Sequence, residues 1–207
     1  MLKKCLRLEL LLLLTLLLGG CAPSPPDNPN NICAIFKQYP RWYWATKATE
    51  RKWGIPISVQ MAIIRQESHF VADAKPPRKK LLGFIPWTRP TSAYGYAQAV
   101  DGTWDDYISQ TKNMGADRDA FADASDFVGW YANQAKIIAN VSKSDAYSLY
   151  LAYHEGIGGY QNRSYLKKKW LMQVASKVER NAETYRTQLR YCASNIPRPS
   201  IWNLWLL

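Results

Sequence analysis

Ile57-Ser-Val-Gln-Met-Ala-Ile-Ile-Arg-Gln-Glu-Ser-His-Phe70 is the stretch from which the rest of the chain can be read. It follows Gly54-Ile55-Pro56, and a proline near the first helical position suits the fixed φ of that residue. Val59, Ala62, Ile63, Gln66 and Phe70 recur at helical spacing, which predicts a helix with one buried face. Glu67 stands on the edge of that face, one turn after Ile63 and Ile64. A carboxyl at the end of an apolar helix loses hydration, which favours its neutral form. A general acid working near neutral pH has that requirement. The commoner role of a lone Glu there is to cap or salt-bridge the helix end, so its surroundings must decide.

Working outward towards the N-terminus, Lys3, Lys4 and Arg7 form a basic start to a short apolar run, Leu8 to Leu18, interrupted by Glu9 and Thr15. The run is too short to span a bilayer and reads as a secretory signal over residues 1–20. It ends in Leu18-Gly19-Gly20-Cys21, which resembles the lipobox of bacterial lipoproteins and implies lipidation of Cys21. Residue 22 is Ala rather than Asp, so an outer-membrane anchor facing the periplasm is expected. Residues 21–32, rich in Pro and Asn, read as the lipidated Cys and a disordered tether to a domain spanning 33–192.

Loss of the signal takes three basic residues and one acidic residue from a net charge of +11, leaving +9. No nucleic-acid motif accompanies that charge, and no nucleic-acid partner is expected; an anionic polymer or lipid surface is. Cys33 and Cys192 bracket the domain and invite one long-loop disulfide in an oxidising compartment, with two free buried thiols as the alternative. His69 and His154 with two distant cysteines lack ligand spacing, so neither a metal nor another cofactor is expected.

Further along, residues 41–53 are predicted to form a helix after Pro40. Residues 71–91 carry four prolines and five basic residues around an apolar centre that includes Phe84 and Trp87. They cannot be a continuous helix and read as a flap or short hairpin at the rim of a groove. Then comes Ser92-Ala-Tyr-Gly-Tyr-Ala-Gln98, where Gly95 permits close backbone approach and Gln98 offers both donor and acceptor. Thr103 is a candidate cap for a helix to about residue 111. Helices are predicted over 118–140, from Ser144 or Asp145 to Gly156, and over 164–191. The first has Phe121, Phe127, Val128, Tyr131 and Ile138 as its apolar positions, and the last Leu171, Val174, Val178, Tyr185 and Leu189. The tail 193–207 is apolar and broken by proline, suited to packing on the domain or entering a membrane surface.

Three motifs now stand in order: Glu67-Ser68, Gly95-Tyr96-Ala97-Gln98 and Ala152-Tyr153-His154-Glu155-Gly156. Together they resemble the lytic transglycosylases of the soluble-lytic-transglycosylase type, in the lysozyme-like superfamily, over residues 45–190. The resemblance implies a mainly α, lysozyme-like single domain with helices around a glycan-binding groove. It implies Glu67 as the catalytic acid/base and Ser68, Ser92, Gly95, Tyr96, Gln98, Tyr153, His154 and Glu155 as substrate-binding residues. In that pattern Gln98 contacts sugar, Gly95 lets the glycan lie close, and the Tyr153 hydroxyl faces the catalytic carboxyl. Two departures are plain: the family's Leu-Met is here Tyr96-Ala97, and its Asn-Ala is His154-Glu155. The second brings an extra carboxylate.

Glycosidases commonly use two carboxyl groups. The resemblance implies one, with the substrate's acetamido group assisting and a 1,6-anhydromuramic end as product. Peptidoglycan strands are the partner it implies, and the lipobox resemblance adds a membrane through Cys21. Two alternatives stay open: a water-using muramidase with Glu155, Asp101, Asp105 or Asp106 as second carboxylate, and a glycan-binding subunit of an envelope or secretion machine.

Overall fold

The computed structural model describes residues 23–78, 80–81, 85–86 and 89–198. The signal segment, Cys21, Phe84, Trp87 and the tail beyond 198 lie outside them. The fold is mainly α, as the periodicities imply.

At its centre is α3, Ile57–Ser68, with α1 (Ile32–Gln38) and α2 (Pro40–Trp53) before it. Every residue from Ile57 to Ile64 is buried, so this helix is covered on all sides and not on one face. Its neighbours are α2, α5 (Phe121–Ala139), α6 (Ala146–Glu155) and above all α8 (Lys169–Cys192). Gln60 is wholly buried there and fully bonded. Its Nε2 donates to the Thr46 and Ile55 carbonyls at 3.1 and 2.9 Å, and its Oε1 accepts from Ser125 Oγ at 2.8 Å. Satisfied in this way, a polar side chain is tolerated in the core.

The neighbours are shaped for close approach. α2 and α5 meet at Gly129, where a Cβ would fall 2.5 Å from Thr49 Cγ2 and Trp53 Cδ1. α8 buries Leu171, Ala175, Val178, Ala182 and Tyr185, alternating steps of four and three residues along one seam. Val174 and Leu189, expected in that seam, flank it half-buried. Ile138, expected on the apolar face of α5, is 53% exposed one residue before the helix ends.

Asp145 caps α6 by accepting from the Ser148 N–H at 2.9 Å, one of the two caps expected. Thr103 does not cap α4 (Asp101–Thr111) but sits in its first turn, because Val100 occupies the cap position. The glycine turn after α6 is itself a short helix, α7 (Ile157–Gln161), followed by a 3-10 turn at Ser164–Lys167.

The segment at the start of the domain differs from expectation. Residues 24–31, expected to be a disordered tether, are strapped to the surface. The Tyr39 hydroxyl donates to the Ser24 carbonyl at 2.7 Å, the Asp27 N–H to Gln38 Oε1 at 3.1 Å, and Gln188 Nε2 to the Asn30 carbonyl at 3.1 Å. Arg65 and Tyr185 add bonds to Asn30 and Pro29, and Asn31 Oδ1 caps α1. Prolines that read as disorder here stiffen the strap, so its ordering loses less entropy. At the other end, residues 193–198 turn back onto α2, with Trp44 Nε1 donating to the Pro197 carbonyl at 2.7 Å.

The flap forms a short antiparallel hairpin, β1 (Lys80–Leu81) with β2 (Ile85–Pro86), in the register Lys80 to Pro86 and Leu81 to Ile85. Its base is closed by Arg89 donating to the Pro76 carbonyl. Cys33 and Cys192 form the disulfide, joining α1 to the last residue of α8 across 159 positions, with Cα atoms 5.9 Å apart.

Closing a loop of that length restricts the unfolded chain strongly. Replacing Cys33 and Cys192 together by Ala is expected to lower stability by about 2–4 kcal/mol. The check is the urea midpoint against that of the oxidised parent at equal slope. Equal midpoints would mean that packing alone holds α1 to α8.

Candidate active site

Glu67 is the penultimate residue of α3, and the chain turns sharply behind it. His69 and Phe70 both take left-handed backbone, with φ of 52° and 65°. Two such non-glycine residues in succession are costly and must be held in place. The Ser68 hydroxyl does part of that work, donating to the Ile64 carbonyl at 3.2 Å and accepting from the Phe70 N–H at 3.1 Å. Phe70, fully buried, completes it by packing on Trp42 at 5.7 Å between ring centres. Ser68 is itself buried, so it is a clamp on the turn and does not face a substrate.

Glu67 as a residue keeps some exposure, but its Oε1 is buried and finds no hydrogen-bond partner among the described residues. That desolvation pushes its pKa up to about 7, against a smaller downward pull from the Tyr150 hydroxyl. The negative end of the α3 dipole acts in the same direction as the burial. The carboxyl is therefore half-protonated near neutral pH, with one hydroxyl in position to steady its charged form.

The loop after the flap lies against the same region. Tyr94 and Ala99 pair as an isolated antiparallel bridge, so Gly95-Tyr96-Ala97-Gln98 is a tight turn and not helical. Gly95 has φ of +80°, and a Cβ there would stand 2.0 Å from the Arg118 carbonyl oxygen. The close approach that this glycine permits is thus to the Arg118 backbone. Tyr96 is wholly buried and meets Trp42 and Phe121 edge-on, so its ring is core and cannot bind substrate. Gln98 spends Nε2 on the Ala74 and Gly95 carbonyls at 2.8 and 3.0 Å, fixing the root of the flap. The exposed Ser92 accepts from the Asp101 N–H at 3.0 Å and so serves the start of α4.

Gln98, Tyr153, His154 and Glu155 meet along a recess of about 240 Å³ whose other walls include Val100, Phe127 and Tyr131. Tyr153 joins this recess to Glu67. The charge of Glu67 adds to burial in raising the Tyr153 pKa well above its ordinary value. Its hydroxyl, however, donates to the Ala97 carbonyl at 2.6 Å. The tyrosine that meets the carboxyl is Tyr150, one turn earlier on the same helix face.

Glu155 is locked into a different set of partners. Its side chain is 4% exposed, with Lys168 Nζ 2.7 Å and His154 Nδ1 3.2 Å from Oε1 and the Ser164 hydroxyl on Oε2. Lys168 and Ser164 hold its pKa down at about 2. Asp101 pairs with Arg118 at 2.8 Å, and Asp105 and Asp106 are exposed on α4.

The sequence motifs thus bring Glu67, Tyr153, Gln98, His154 and Glu155 to one region. Ser68, Ser92, Gly95 and Tyr96 shape it from behind. Tyr150 is the residue that motif reading passes over, because helical spacing marks it only as core. Its one signal is a hydroxyl one turn from Tyr153. Residues 9–192 match the protein family described as the transglycosylase SLT domain. No curated protein matches the chain.

The raised pKa has a consequence for stability. Unfolded, Glu67 titrates near its ordinary 4.5, and folded, near 7. Between these values the folded state alone holds the proton, so stability falls as pH rises through the window and stays lower above it. Glu67→Gln removes this loss. It is expected to raise Tm at pH 8 by on the order of 5 °C while leaving it nearly unchanged at pH 4. Thermal melts at the two pH values check this, and an equal shift at both would trace to bonding rather than to titration.

Proposed function

Since this chain belongs to the transglycosylase SLT-domain family, we propose that it is a peptidoglycan lytic transglycosylase with Glu67 as its single acid/base. The observation that supports this most is the buried carboxyl of Glu67, its pKa near 7, beside a tyrosine hydroxyl. A neutral carboxyl can give its proton to the glycosidic oxygen between N-acetylmuramic acid and N-acetylglucosamine, and the bond to the muramic anomeric carbon breaks. The acetamido oxygen of the same sugar stabilises the positive carbon. Glu67, now a carboxylate steadied by Tyr150, takes the proton of the muramic 6-hydroxyl as that oxygen closes on the anomeric carbon. The product carries a 1,6-anhydro ring, Glu67 ends protonated, and no water is consumed.

The state of Glu155 supports a single-carboxyl mechanism. Both its oxygens are engaged by Lys168, His154 and Ser164, which leaves it poorly placed to activate a water. We place the enzyme in the periplasm, held to the outer membrane through lipid on Cys21, with peptidoglycan strands as substrate.

Mass spectrometry of soluble products from purified sacculi tests the reaction. The wild type is expected to release anhydromuropeptides and Glu67→Gln none. Reducing ends from the wild type would mark a muramidase, and binding without products would mark a glycan-binding subunit.

Acidity tests the assignment further. Glu67 must begin protonated, so kcat/KM is expected to fall as pH rises through about 7. Tyr150→Phe removes an interaction that lowers this pKa, so the falling limb should move to higher pH and kcat should drop. A limb that stays in place would remove Tyr150 from the catalytic centre.

A further inference from the structure

Trp170 lies in the first turn of α8 and is 53% exposed, an unusual setting for the largest apolar side chain. Its ring stands 5.2 Å from that of His154, edge to face at 80°. His154 in turn lines the recess that holds Gln98 and Tyr153. The two rings therefore extend the aromatic wall of the groove outward from Tyr131 and Tyr153, which themselves meet at 4.9 Å.

The extra carboxylate braces the start of the helix that carries Trp170. The 2.7 Å ion pair of Glu155 with Lys168 joins the last residue of α6 to the residue that caps α8, two positions before Trp170. The bond from Ser164 to Glu155 pins the intervening turn, and the Gly159 carbonyl, 3.1 Å from the same hydroxyl, shares that proton and brings α7 alongside. A carboxylate so buried and so fully paired is a fixed strut. The two departures in the third motif thus form one device: Glu155 mounts the start of α8, and His154 supplies the ring that Trp170 meets.

We propose that Trp170 and His154 form a shelf on which a sugar ring of the glycan strand stacks, beyond the bond that Glu67 cleaves, with the Glu155–Lys168 pair as its mount. The proposal rests on the reading of this protein as a glycan-cleaving enzyme. The apolar face of an N-acetylated pyranose suits the face of an indole, and the indole N–H can donate to a sugar hydroxyl or acetamido oxygen. Lys168 is a positioning residue, since it acts on the shelf through Glu155.

The test measures binding to the inactive Glu67→Gln protein by calorimetry. The probes are peptide-free glycan strands of one, two and four disaccharides. Affinity is expected to rise with length in this parent. Adding Trp170→Ala should weaken the longest strand by about fivefold to tenfold and leave the shortest unchanged. Trp170→Phe should restore most of the gain. Lys168→Met should reproduce part of the length-dependent loss, and Lys168→Arg should not. If Trp170→Ala binds every length as the parent does, or if it loses only binding to anionic lipid vesicles, the shelf is overturned while the function stands. If the parent binds no glycan of any length, shelf and function fall together.

Discussion

A helix whose first eight residues are buried on every side and whose last turn carries a carboxyl is the constraint from which the rest follows. From Ile57 to Ile64 every residue of α3 is buried, so its axis is fixed by contacts with α2, α5, α6 and α8. The position of Glu67 is therefore set by core packing and not by a surface loop. The same packing denies its oxygen a partner and supplies the desolvation that keeps the group near-neutral. Burial of this carboxyl costs stability above its pKa, and strongly shifted groups of this kind cluster at functional sites.

The turn behind Glu67 shows how that tension is contained. Left-handed backbone at His69 and Phe70 would relax if it were free, and it is not free. Ser68 bonds both sides of the turn, and Phe70 is locked under Trp42 in an aromatic layer that also takes in Tyr96 and Phe121. Residues that motif comparison marks as touching substrate are here the supports of Glu67. Tyr96 anchors its loop from inside the core, and Gly95 lets the Arg118 carbonyl close on that loop.

Helical periodicity and breakers were enough to locate the long helices and to single out Glu67 at the end of an apolar one, while the short helices α1 and α7 were not anticipated. What they could not carry is direction. Tyr150 and Tyr153 share a face of α6, and which hydroxyl meets Glu67 depends on where the Ala97 carbonyl lies, a fact of tertiary structure. The strap of residues 24–31 was hidden for a similar reason. Its composition is that of a linker, and its partners Tyr39, Gln188, Tyr185 and Arg65 are remote or unremarkable in sequence. The Cys33–Cys192 bond, by contrast, was legible, because two cysteines at the two edges of one domain leave few other pairings.

The strap also sets a distance. Bonds to the domain begin at Ser24, three positions after Cys21. Even fully stretched, three residues span only about 10 Å. A lipid on Cys21 would thus hold the domain close against its bilayer, with no long leash on which to explore. Such a protein would meet only those glycan strands that pass within its own diameter of the membrane, and its reach into the wall would be fixed by the size of the fold.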